Sequence, residues 1–147
     1  MKKKTITICS SVSFYRKVLE TEETLKKRGF RVLVPFIAKQ MRRSGNFEVS
    51  AYKPWYESDA DWNKKASLMR GHFRKVLDGD AILVLNYRKN KTDGYIGGNV
   101  LMEMGLAFHH KKPIFILHPV TTALPLYEEV MGMQPRFLGG ELHNLRL

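Results

Sequence analysis

The sequence predicts an α/β domain: a small doubly wound parallel sheet, Rossmann-like or flavodoxin-like, with helices on both faces. Three observations predict it. Short strand-like segments alternate with amphipathic helical ones along the chain. The run Ala81-Ile82-Leu83-Val84-Leu85 is apolar throughout, as in a central strand covered on both faces. The length, 147 residues with 44% hydrophobic content, fits a single domain, residues 1–147, with a true core.

Thr5-Ile6-Thr7-Ile8-Cys9 is β-rich and reads as the first strand, with Ser10-Ser11-Val12-Ser13 as a polar turn. Phe14 to Arg28 reads as a helix. Phe14, Val18 and Leu25 share one face, while Glu20, Glu22, Glu23, Lys26 and Lys27 cover the other. Gly29 is a natural helix stop, and Phe30 to Val34 is a second strand closed by Pro35. This β-α-β order implies parallel strands. Ile37 to Glu57 has weak periodicity and reads as a long loop, with a helical turn near Ala38 to Arg42.

Ser58 can cap the next helix, with Asp59 and Asp61 favourable in its first turn. Trp62, Ala66, Met69, Phe73 and Val76 recur there at helical spacing. After the 81–85 strand, Asn86 to Gly98 is a polar loop, Asn99 starts a helix reaching about His110, and Pro113 to Leu117 is another buried strand. Tyr127 to Met131 reads as helical and Gly139-Gly140 as a turn.

The net charge of +11 attracts anions. A phosphorylated small molecule and nucleic acid both fit it, and a merely solvated basic surface does too. The basic residues are scattered and no nucleic-acid motif accompanies them, so nucleic acid is not favoured. One cysteine, Cys9, excludes an internal disulfide and suits a cytoplasmic setting. No apolar run reaches the ~18 residues of a membrane span, and the short stretch after Met1-Lys2-Lys3-Lys4 does not read as an export signal.

In such folds ligands bind beyond the C-terminal ends of the strands. Ser10, Ser11 and Ser13 stand there as phosphate contacts or plain caps. Gly97-Gly98-Asn99 opens a later helix and lets a ligand approach the backbone closely. On that helix Glu103 falls between Val100 and Ala107, on the stripe facing the core. A carboxylate there needs a partner or a function. It either pairs with an arginine or caps the loop, or it is a nucleophile or base aimed into the cleft. The helix is apolar nearly all round, Leu101, Met102, Leu106 and Phe108 included, which predicts a twofold dimer.

The stretch Gly97-Gly98-Asn99-Val100-Leu101-Met102-Glu103-Met104-Gly105-Leu106-Ala107 resembles the nucleoside 2-deoxyribosyltransferase superfamily, which includes the 2'-deoxynucleoside 5'-phosphate N-hydrolases. The likeness continues into Lys112-Pro113-Ile114-Phe115-Ile116, and Asp80 to Val84 and Ile8 to Ser11 also fit. The resemblance implies cleavage or transfer of an N-glycosidic bond of a nucleoside monophosphate or nucleoside. Glu103 would be the nucleophile of a retaining mechanism, and a second group must protonate the leaving base. Where the family carries an Asp on the preceding helix, this chain has His72, a candidate proton donor. The family's loop Asp has no aligned match; Asp93 lies nearby, offset by several residues.

Candidate substrate contacts are Ser10, Ser11, Ser13, Phe14 and Tyr15, then Arg16, Arg43 and Asn86, and finally Tyr95 with Gly97, Gly98 and Asn99. Tyr15, Trp55 and Tyr95 are candidates to stack on a base. No metal or cofactor is expected. A non-catalytic nucleotide sensor is the alternative reading, and a basic nucleic-acid-binding module a lesser one.

Overall fold

The computed structural model describes residues 2–53 and 56–147. Strand β1, Thr5–Ser10, is buried along its whole length. Alternation sends Ile6 and Ile8 to one face of the sheet and Cys9 to the other, and each face carries its own apolar core. A short 3₁₀ turn at Val12–Phe14 leads into helix α1, Tyr15–Lys27. Gly29 ends that helix at φ +94°, with its N–H donated to the Lys26 carbonyl. Strand β2, Arg31–Leu33, follows.

Strands β3 (Ala81–Leu85), β4 (Ile114–Ile116) and β5 (Arg136–Phe137) complete a sheet of order β2-β1-β3-β4-β5, with every neighbouring pair parallel. The chain leaves β1 toward β2 on one side and continues with β3 on the other. The crevice beyond the C-terminal ends of β1 and β3 is therefore the topological switch point, where this class of sheet binds ligands.

Helix α1 and helix α2, Phe36–Ser44, contribute Val18, Leu25 and Ala38 to the core around Ile6, Ile8 and Leu83. Helices α3 (Asp59–Asp78), α4 (Gly98–His109) and α5 (Tyr127–Gly132) cover the other face, around Cys9, Ile82 and Val84. Ser58 caps α3 as expected, its hydroxyl accepting the Asp61 N–H at 3.3 Å. The doubly wound expectation holds. No helix among the described residues is long and apolar enough to cross a membrane.

Four local expectations are corrected. The stretch expected to be mostly loop holds a nine-residue helix, α2, entered through Pro35 and closed by Gly45 at φ +72°. Its buried set is only Ile37, Ala38 and Met41, too few to stand out as a period. Glu22, expected on a solvated face, is 2% exposed and pairs with Arg42 at 2.6 Å and Lys26 at 3.0 Å. Trp62 does not join the core; it is exposed and stacks on Tyr56. The middle of α3, Lys64 to Lys75, borders a cavity, and burial on α3 is concentrated at His72 and Val76. Finally, β5 is a two-residue edge strand between the expected 127–131 helix and the Gly139-Gly140 turn, where no strand was expected.

Candidate active site

A cavity of about 700 Å³ lies at the switch point. Ser10 and Ser11 from the end of β1, Pro35 after β2, and Gly97 to Asn99 at the start of α4 form part of its wall. Residues of α3 close the opposite side.

Glu103 reaches this cavity from α4, on the buried stripe with Val100, Met104 and Ala107. It is 8% exposed, and among the described residues no lysine or arginine forms an ion pair with it. Pairing with an arginine, one of the two structural roles expected for it, is not found among the described residues. Burial pushes its carboxyl up to about 7, against the pull of the neighbouring Cys9 thiol and the Lys65 ammonium.

His72 projects from α3 toward the same point. Its Nε2 lies 3.9 Å from Glu103 Oε1 and 3.6 Å from Cys9 Sγ. Burial, then the charge of Lys75, lowers its pKa to about 4, so the imidazole is neutral at physiological pH. The Ile8 main chain offsets this in part, yet among the described residues no partner meets Nδ1 in hydrogen-bonding geometry. Cys9 completes the group because it is the last position of β1 facing α3 and α4. Burial, and then Glu103, raise its thiol pKa. Tyr15 lines the cavity as well, and burial and then Glu103 keep its phenol protonated far beyond the usual range.

The wall also carries cations among apolar residues such as Ile37, Leu68 and Phe73. Lys53, Lys64, Lys65, Lys75 and Lys89 all border the cavity. Burial and then the charge of Lys53 lower the pKa of Lys65 and of Lys89. Lys89 Nζ donates to Ser11 Oγ at 2.8 Å and sits 5.2 Å from the Tyr95 ring centroid. Lys75 Nζ donates to the Val34 carbonyl at 2.7 Å.

The fold thus brings Glu103, His72, Ser10, Ser11, Tyr15, Tyr95, Gly97, Gly98 and Asn99 to one cavity. Other candidates lie elsewhere. Asp93 is exposed and bound to Arg88 at 2.8 Å. Asn86 is fully buried and clamps His118, donating to its carbonyl and accepting its N–H, both at 2.8 Å. Phe14 is core, edge-on to Tyr87. Arg43 is exposed on α2, outside the cavity wall. Ser13 and Arg16 border a smaller, adjoining pocket that shares Val12 and Tyr15 with the cavity, and there Arg16 lies over the Phe47 ring. Trp55 lies outside the described residues. Sequence reasoning put Cys9 at the strand end that borders the site but gave its thiol no role, although strand alternation points it at α3 and α4. It also saw the lysines only as diffuse charge.

No protein-family model matches the chain, and no curated protein matches it by sequence. Among solved structures it is similar to a 2-deoxyribosyltransferase from the psychrotolerant bacterium Bacillus psychrosaccharolyticus. The two are 16% identical with a TM-score of 0.53, over 84% of this chain and 78% of that one. At that identity the likeness is one of fold.

Proposed function

We propose that this chain cleaves or transfers the N-glycosidic bond of a nucleoside monophosphate, or of a nucleoside, with Glu103 as the nucleophile. One observation carries the reading: a nearly buried carboxylate, without a lysine or arginine partner among the described residues, faces a ligand-sized cavity at the switch point of the sheet. The fold likeness to a 2-deoxyribosyltransferase supports it.

In this reading ionised Glu103 attacks the anomeric carbon, the bond to the base breaks, and a glycosyl ester forms on the carboxylate. Water or a second base then displaces the ester and restores Glu103. His72, neutral at physiological pH, carries no imidazolium proton to give. Lys65 and Lys89, with lowered pKa values, are stronger acids than free lysine and border the space a departing base would occupy. The five lysines of the wall favour a substrate bearing a phosphate. We further infer a twofold dimer through the outer face of α4, where Met102 and Phe108 are exposed.

Incubation with a panel of nucleosides and nucleoside monophosphates, scored for free base, tests the enzyme. Release by wild type and none by Glu103→Ala is expected. Saturable nucleotide binding without release from any member of the panel would contradict catalysis.

A further inference from the structure

Three side chains of different chemistry converge where the cavity meets the sheet: the Cys9 thiol from β1, the His72 imidazole from α3 and the Glu103 carboxylate from α4. Their donor atoms all lie within 4.8 Å of one another. The 3.9 Å between His72 Nε2 and Glu103 Oε1 is too long for a hydrogen bond, while the 3.6 Å between Nε2 and Cys9 Sγ is within reach of a sulfur hydrogen bond. They are close to the spacing of neighbouring ligands around one small cation. With metal–ligand bonds of about 2.0–2.3 Å, a tetrahedral site has ligand–ligand edges of roughly 3.3–3.7 Å.

We propose that Cys9, His72 and Glu103 form a three-ligand site for a zinc-type divalent cation, with its fourth position open to the cavity. A thiolate, an imidazole and a carboxylate suit zinc; magnesium and calcium select oxygen ligands instead. The charges balance. One thiolate and one carboxylate neutralise the dication, His72 binds as neutral imidazole through Nε2, and the Cys9 proton leaves to solvent. A neutral complex is compatible with a site whose three ligands are all buried. His72 and Glu103 line the cavity while Cys9 lies behind them, so the open position faces the space a ligand would enter.

One consequence rests on the proposed function. A carboxylate bound to zinc is withheld from the anomeric carbon, so the cation is a reversible inhibitor of base release. The binding itself does not depend on that reading.

The test titrates chelator-treated protein with cobalt(II), then zinc. One equivalent of cobalt is expected to give tetrahedral d–d bands and a thiolate-to-cobalt charge-transfer band, both displaced by zinc. Cys9→Ser should abolish the charge-transfer band, and His72→Gln should weaken zinc binding by at least about 100-fold. No thiolate band in the wild type overturns the site whether or not either variant folds, as does undiminished zinc affinity in Cys9→Ser. In parallel, base release is measured with zinc and after chelation. A cobalt site in a protein that releases no base leaves the metal site standing and removes the glycosidase. Release that bound zinc fails to slow overturns the inhibition.

Discussion

His72 and Glu103 face each other with their proton preferences inverted. Nε2 stands 3.9 Å from Oε1, the imidazole has its pKa lowered to about 4, and the carboxyl is raised to about 7. Between those values the proton sits on the carboxyl and not on the imidazole, the reverse of the free side chains. Burial produces both shifts, because it penalises whichever form is charged.

The pair makes stability depend on pH in two opposing ways. The raised Glu103 pKa favours the fold in acid; its contribution is complete below 4.5 and lost as pH rises through about 7. The depressed His72 pKa contributes above 6.5 and is lost as pH falls through about 4. Each displacement corresponds to on the order of 3 kcal/mol. Between pH 4.5 and 6.5 the two slopes nearly cancel. Urea unfolding across that interval should therefore show stability rising with pH in Glu103→Gln and falling with pH in His72→Gln. Parallel profiles for the two variants would contradict this electrostatic account.

Activity should carry the Glu103 titration directly. In the proposed mechanism only the ionised carboxylate attacks, so log kcat/KM should rise with unit slope and level off above about 7. Steady-state kinetics over a pH series checks it, and a flat acid limb would assign the nucleophile elsewhere.

Asn86 should prove to be a structural clamp. Replacing it with Leu strands the buried groups it satisfies at His118 and costs about 2–4 kcal/mol. Chemical denaturation measures the loss. Substrate KM at a temperature where the variant is folded should be unchanged.

Much of the fold was legible because burial writes itself into sequence. The segment Ala81 to Leu85 is covered on both faces and reads as uninterrupted apolar residues, and Glu103 stood out as the one charge on the inner stripe of α4. Helix α2 was obscured because only Ile37, Ala38 and Met41 are buried, and β5 because Arg136 and Phe137 are both exposed. Asn86 was ambiguous in principle: a polar residue at the end of a buried strand serves a ligand or a neighbouring chain equally well. The cluster of Cys9, His72 and Glu103 comes from three elements far apart in sequence, and only their packing reveals it.

The inferred dimer should break at α4. Glu substitutions at Met102 and Phe108 would put charge into an apolar contact, and sedimentation velocity should then report a monomer where the wild type is a dimer. A wild type that is monomeric at micromolar concentration contradicts the inference.

Trapping the intermediate tests the nucleophile most directly. Acid-quenched turnover mixtures, digested and analysed by mass spectrometry, should show a glycosyl adduct on the peptide containing Glu103, absent from Glu103→Gln. Base release by Glu103→Gln at the wild-type rate, or an adduct mapped to another residue, would contradict the assignment.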